Sequence, residues 1–420
     1  MSTGALLLSR SHDPYAAFRI HDYRLYVIGW VVARMGTYIQ SIAIAWEIYQ
    51  RTGEALSLGL VGLAQALPLM VLALPAGLLA DRYERRRLSI FSLLGMTVTS
   101  LALAAFSIRE GSVLWMYALL FLDACMMTVG RPARTALLPQ LVPADVFPNA
   151  VTWNMSLMHI ASVVGPALGG IVVAVSVQSA YFVAAAGSMW LAFVLTRIQF
   201  RPVGEKPEPA NWQTLLGGIR FVWDKRILFT IMALDLFAVL LGGAVYLLPI
   251  FAEDILNVGA TGFGYLRAAP AVGAFLMAVA MIYLPPMKRA GRALLLAVAG
   301  FGAATIVFGF SQNVTLSWVM LFLTGALDNI SMVVRQTLTQ LLTPDRMRGR
   351  VSAVSGIFIG ASNELGGFES GLVAQWFGPV VSVVSGGIGT ILVVAGAAAL
   401  SPQLLRLGAL HEARAEEEGA

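Results

Sequence analysis

Twelve apolar runs, each about 20 residues long and parted by short connectors, dominate this chain. A helix rising 1.5 Å per residue needs about that length to cross roughly 30 Å of hydrocarbon. Inside a bilayer no water can satisfy the backbone, so only helices or closed barrels span it. The runs lie near 25–49, 56–80, 88–108, 113–137, 151–176, 179–197, 227–251, 261–284, 293–310, 315–340, 351–374 and 378–400. Composition agrees with that pattern. Only 12% of the 420 residues are charged and 58% are hydrophobic, whereas soluble domains carry about 25% charged residues. So little charge cannot cover a water-facing surface of this size. The expected fold class is all-α membrane, with twelve transmembrane helices.

The surplus of basic residues follows from topology. Arg10, Arg19 and Arg24 precede the first run, and Arg82, Arg85, Arg86 and Arg87 lie between the second and third. Arg197, Arg201, Lys206, Arg220, Lys225 and Arg226 flank the centre, Lys288, Arg289 and Arg292 follow run eight, and Arg346, Arg348 and Arg350 follow run ten. The opposite loops hold little beyond Arg51 and Arg109. Both termini are therefore expected in the cytoplasm of a bacterium, with the chain in its inner membrane. The net charge of +5 then carries no hint of a nucleic-acid partner. Cys125, the single cysteine, sits inside an apolar run, so neither a disulfide framework nor a cysteine metal site is expected. The stretch "ALLL" (5–8) is too short for a cleavable signal.

The chain repeats itself. "RTALLPQLVP" (134–143) resembles "RQTLTQLLTP" (335–344), and at the same offset of 201 residues "GPALGGIV" (165–172) falls on "GGFESGLV" (366–373). Two matches at one offset argue for two six-helix halves of like topology. The halves are placed at 1–197 and 227–400. A cytoplasmic linker, 198–226, joins them and ends in an interfacial helix with Trp212, Leu215, Leu216, Ile219 and Trp223 at helical spacing. Residues 401–420 form a cytoplasmic tail.

An ionisable group in hydrocarbon costs at least about 2.5–3.5 kcal/mol, so it normally faces a cavity or a partner. Arg34, Asp123, His159, Asp235, Arg267, Asp328, Arg335, Glu364 and Glu369 fall within runs 1, 4, 5, 7, 8, 10 and 11. Runs 3, 6, 9 and 12 have none inside and are expected to face lipid. Two readings stand side by side. In one, Glu364, Asp235, Asp123, Asp328 or Glu369 binds and releases protons. In the other, these acids form structural ion pairs with Arg34, Arg335 or Arg267, and His159 packs helices. Glu364 is favoured for proton coupling. It lies roughly 20 Å into its helix, and its repeat mate is the apolar Val163. Arg267 is expected to pair with Glu253, and Trp46, Glu47 and Tyr49 to form an interfacial girdle.

Gly165, Pro166, Gly169 and Gly170 in run 5, answered by Gly366 and Gly367 in run 11, favour kinks and close helix contact. The abrupt charge burst "GLLADRYERRRL" (77–88) is a turn between runs 2 and 3. Its Asp81 sits where a helix dipole disfavours a carboxylate, so a cation or another helix's N-terminus, such as the start of run 11, must hold it. Arg131 or Arg134 below run 4 is a candidate, and with Arg82 and Arg85 this set forms an expected cytoplasmic gate.

These motifs resemble the major facilitator superfamily. "GLLADRYERRR" resembles its loop signature G-x-x-x-D-R-x-G-R-R, with Glu84 in the second glycine's place, and "GPALGG" resembles the core of its helix-5 antiporter signature. "LDLFAVLLGG", "LRAAPAVGA", "LTPDRMRGRVSAVSG" and "GASNELGGFESG" are similar to the enterobactin-exporter and macrolide-efflux branch. The chain departs from the pattern at Thr152 and Ala161, where helix 5 would carry glycines, and at Leu119, Leu120 and Leu122, where many proton-driven members carry an arginine. "LPPMKRAGR" in the second half has no acid to match Asp81. The resemblance implies a monomeric secondary transporter without cofactor, with runs 1, 4, 7 and 10 around the cavity and 2, 5, 8 and 11 as gates. Its expected partners are a small amphipathic substrate such as a drug or siderophore, protons and membrane lipid, in export by antiport. Rival readings are a lysolipid or lipid flippase and, in another class, a polytopic enzyme or receptor. No phosphate loop, H-E-x-x-H or G-x-S-x-G supports the enzyme.

Overall fold

Every apolar run but the seventh folds as one long helix in a computed structural model of the chain, which describes residues 13–200, 212–285, 287 and 289–406. The first six are α1 (His21–Thr52), α2 (Ala55–Arg82), α3 (Arg85–Ile108), α4 (Val113–Thr135), α5 (Phe147–Val175) and α6 (Val177–Arg197). The seventh is broken. Its helix α7 (Arg226–Leu241) continues as a 3-10 turn (Gly243–Leu247), a short helical turn (Leu248–Ile250) and a π turn (Phe251–Ile255). The rest are α8 (Gly259–Tyr283), α9 (Ala290–Phe310), α10 (Val314–Leu341), α11 (Asp345–Phe377) and α12 (Pro379–Leu400). Among the described residues no strand occurs.

Local chemistry sets several ends. Ser112 caps α4 by accepting from the Leu114 N–H, and Asn313 caps α10 by accepting from the Leu316 N–H. These two caps stand at the same offset as the sequence repeat. Gly53, at φ 65°, closes α1 in the left-handed region that glycine adopts without a Cβ penalty. Eleven of the long helices are apolar enough to span a membrane. The twelfth, α11, spends part of that apolarity on Asn363, Glu364 and Glu369, yet lies packed along α2 for much of its length.

Within the first half α1 packs on α5 and α6, α2 on α4, and α3 on α4 and α6; in the second α8 packs on α10, α9 on α10 and α12, and α7 on α11 and α12. The halves meet chiefly through α2 against α11 and α5 against α8, the four helices expected to gate. The outer helices turn large apolar groups outward, including Phe91 and Val98 on α3, Phe182 and Trp190 on α6, Leu296 and Phe310 on α9, and Leu392 on α12. Such faces suit acyl chains, as expected for runs without internal charge.

Among the described residues the seam between halves is tight at one end only. On the face remote from the described chain ends, a Cβ on Gly371 would lie 2.6 Å from the Gly59 Cα, and one on Gly264 2.6 Å from the Gly170 Cα. Trp46 stacks on Phe263 at 5.9 Å, Gln50 Nε2 donates to Glu253 at 3.0 Å, and Tyr49 donates to Asp254. The Leu56 N–H donates to Gln375 at 3.1 Å. Near the face that carries the chain ends, a Cβ on Gly77, Gly349 or Gly356 would meet open space. Trp46, Glu47 and Tyr49 are thus not a girdle. Trp46 and Tyr49 fill the remote seam, and buried Glu47 pairs with Arg51 at 2.5 Å and accepts from Tyr181 at 2.6 Å. A helix end buried between two halves and one exposed to headgroups carry the same aromatic signal.

A linker helix (Trp212–Asp224) packs against α11 and α7, with Trp223 exposed and edge-on to Phe229 at 5.0 Å. Residues 201–211 of the expected linker, residues 1–12 and the tail beyond 406 lie outside the described residues.

Candidate functional site

Three polar clusters lie within the bundle. The first joins three helices of the second half at its seam with the first. Tyr246, carried on the 3-10 turn that interrupts the seventh span, donates to Glu364 Oε2 at 2.7 Å. The break exists because Gly242 and Gly243 weaken the helix and Pro249 cannot supply an N–H. The Arg267 guanidinium of α8 lies over the Tyr246 ring at 5.7 Å, donates to the Val245 carbonyl at 3.1 Å, and attracts Glu364 without a direct ion pair. Arg267 therefore serves this cluster, and Glu253, its expected partner, is bonded to Gln50. Backbone crowding locks the position. A Cβ on Gly367 would press on the Tyr246 ring at 2.6 Å, and one on Gly62 of α2 on the Glu364 carbonyl at 2.6 Å. Glu369 is half-buried and accepts from Ser370 at 3.4 Å, so the two glutamates do not share a partner.

In the second cluster Asp235 of α7 forms an ion pair with Arg335 of α10, both largely buried. Asp328, one side of the same small cavity of about 20 Å³, has no hydrogen-bond or ion-pair partner among the described residues. Asp328 and Arg335 stand seven apart on one helix face, and Asp235 of the neighbouring helix fills the gap between them.

The third cluster is inside the first half. Buried Asp123 of α4 accepts from Thr99 Oγ1 at 2.6 Å and from Gln40 Nε2 at 3.5 Å, while Ser100 donates to Gln40 Oε1 at 2.6 Å. Asp123 thus looks toward α3 and α1. The three carboxylates occupy separate clusters and have no common lining residue.

The remaining candidates sort as follows. Arg34 and Arg134 line one cavity in the first half. Arg134 donates to Ser92 at 2.8 Å and to the Met127 carbonyl at 3.2 Å. Asp81 makes no ion pair among the described residues, so the expected gate contact with Arg131 or Arg134 is absent from this open face. Arg131 is exposed, Arg82 lies over Tyr83 at 6.0 Å, and Arg85 reaches the Ala136 carbonyl at 3.5 Å. The His159 ring of α5 sits 6.5 Å from that of Phe275 on α8. Gly165 and Gly169 make room for Tyr38 and Ile42 of α1, and Gly170, one turn beyond Pro166, for α8. Gly366 admits the α7 backbone. Reading charges alone missed Tyr246, Gln40 and Thr99. The Gly-Gly pair and Pro249 were the one signal for the turn that carries Tyr246.

The chain matches the family described as transmembrane secretion effector over residues 12–416. It is 30% identical over 399 residues to enterobactin exporters of Escherichia coli and Shigella boydii, covering 92% of each chain. Among solved structures it resembles a bacterial homologue of the lysosomal transporter Spinster in an inward-facing conformation (TM-score 0.69, 14% identity, 93% of this chain and 98% of that one). It also resembles a bacterial homologue of the iron transporter ferroportin in an inward-facing state (TM-score 0.69, 15% identity, 90% and 98%).

Proposed function

From the membership of this chain in the transmembrane secretion effector family of the major facilitator superfamily, which makes it a membrane transporter and not an enzyme, we propose that it is a proton-coupled exporter of small amphipathic molecules. It acts as a monomer in a bacterial inner membrane, both termini in the cytoplasm, with halves 1–197 and 227–400 rocking about the α2–α11 and α5–α8 seams. The open face is then cytoplasmic, where an exported molecule would be collected. Asp81 with Arg82, Arg85, Arg131 and Arg134 would form the gate that closes that side in the opposite state.

One observation carries the coupling: Glu364 lies on the seam helix α11, against the α2 backbone, with a neutral donor (Tyr246) and a cation (Arg267) beside it. An ionised Glu364 is drawn to Arg267 and holds α7, α8 and α11 together. A protonated one keeps only the Tyr246 contact. Proton binding at this one residue therefore changes the contacts among α7, α8 and α11 directly beside the α2–α11 seam about which the halves rock. Asp235 is tied to Arg335, and Asp123 is satisfied inside its own half, so both fit structural roles better. Asp328, without a hydrogen-bond or ion-pair partner among the described residues, is the second candidate for a proton, and Glu369 follows.

The test is transport into inverted membrane vesicles under an imposed pH gradient. Glu364→Gln is expected to fold and to keep exchange down a substrate gradient while losing uphill uptake. Unimpaired proton-driven uptake by this variant would end the assignment. A lipid flippase is the second reading, favoured by an apolar groove of about 450 Å³ between α2 and α4, lined by Leu60, Leu67, Trp115 and Phe121. Movement of a labelled lysolipid between leaflets, blocked by a bulky residue at Ala64 or Ala118 in that groove, would select it.

A further inference from the structure

The repeat reverses charge at one place. At the 201-residue offset Arg34 of α1 corresponds to Asp235 of α7, Met127 to Asp328, and Arg134 of α4 to Arg335 of α10. The correspondence is spatial as well. Asp235 pairs with Arg335 in one half, and Arg34 and Arg134 line a single cavity in the other. At these three positions the second half thus combines two acids with one base, whereas the first presents two bases and no acid.

Among the described residues no carboxylate touches either of those two guanidiniums. Arg134 spends its donors on Ser92 Oγ (2.8 Å) and the Met127 carbonyl (3.2 Å), both uncharged. Arg34 lies over the Tyr38 ring at 5.1 Å, and its buried Nε has no hydrogen-bond partner. The two cations repel each other. Asp123 offsets part of the charge on Arg134 from a distance, but its oxygens accept from Thr99 and Gln40, and it does not line the cavity between the arginines. The cavity between the arginines measures about 50 Å³, and Thr37 and Ser188 add hydroxyls to its wall. That is space for a few waters or one compact group. Paired cations taken from water without a counter-charge are costly, and guanidinium forks match the planar oxygens of a carboxylate or the oxygens of a phosphate.

We propose that this first-half pocket is a binding subsite for a compact oxyanion, held between Arg34 and Arg134 in the place that the Asp235 carboxylate fills in the second half. A mobile acid here replaces the built-in one there. In the transport reading above, on which this assignment of a ligand to the exporter rests, the anion is an acidic group of the exported molecule. A phosphate of a membrane lipid offers the same oxygens. The binding of the anion itself does not require transport.

The test uses the purified full-length protein in an uncharged detergent, with thermal unfolding followed as sodium acetate, sodium phosphate or lysophosphatidylglycerol is titrated against sodium chloride at equal ionic strength. A saturable rise in the unfolding midpoint is expected for the native chain. Arg34→Gln should weaken half-saturation by at least about tenfold, the loss of a charge-assisted contact. Arg34→Asp supplies its own carboxylate to Arg134. It should unfold no lower than the native protein in the absence of added anion and show no saturable rise. Should Arg34→Asp fail to fold, Arg34→Gln alone decides. No rise in the native protein, or equal rises in all variants, overturns the proposal. A rise with acetate assigns a carboxylate ligand. A rise with phosphate and lysolipid but not acetate assigns a phosphate. Either supports the subsite, and both are read without a flux assay, so a failure of the vesicle experiment leaves this result standing.

Discussion

Replacing Gly371 with alanine is expected to drive the protein out of the state seen here. The new methyl would sit 2.6 Å from the Gly59 Cα, 2.7 Å from its nitrogen and 2.9 Å from the Ala55 carbonyl. Every one of these is backbone, so no side chain can swing aside. Ordinary contact begins near 3.4 Å, so α2 and α11 must part by about 0.8 Å, and overpacking of this kind costs about 1–3 kcal/mol. The strain belongs to the closed remote seam alone and vanishes when that seam opens. The equilibrium between the two states should therefore move about 5- to 150-fold toward the remote-open form. Spin labels at Arg109 and Gln312, exposed on opposite halves of the remote face, would report it by pulsed dipolar spectroscopy in nanodiscs, with Cys125 replaced by serine. A longer-distance population should grow in Gly371→Ala. An unchanged distance distribution in a folded variant would refute the reasoning, because the strain would then have been absorbed within the closed state.

Asp235→Asn leaves Arg335 buried without a counter-ion and should cost about 3–5 kcal/mol, whereas pairing Asp235→Leu with Arg335→Met should recover much of that loss; a double-mutant cycle by chemical denaturation in detergent measures both. Thr99→Val removes the 2.6 Å donor to Asp123 and should cost about 1–3 kcal/mol, read as a lower unfolding midpoint, with transport per folded molecule unchanged because this cluster lies on α1, α3 and α4, off the seam helices.

Apolar length and charge placement are local properties of the chain, since the bilayer tests each run separately. That is why twelve spans and a lipid-facing set of four were legible in the order of residues, whereas the pairing of α2 with α11 and of α5 with α8 was not. The repeat was legible too, and the matching caps at Ser112 and Asn313 follow it. Which charges meet was not legible, because a helix can be rotated without changing its periodicity. The rotation of α4 turns Asp123 toward Thr99, and that of α10 brings Arg335 onto Asp235. The interruption at Gly242 and Gly243 swings Tyr246 onto Glu364 and draws Arg267 away from Glu253. The amino-acid order alone determined that this chain must live in lipid as two matching bundles, since solvation of single segments decides it. Only tertiary packing decided which end of the seam is shut and which acid lies on it, since both depend on backbone approach between glycines some three hundred residues apart in the chain, as at Gly59 and Gly371.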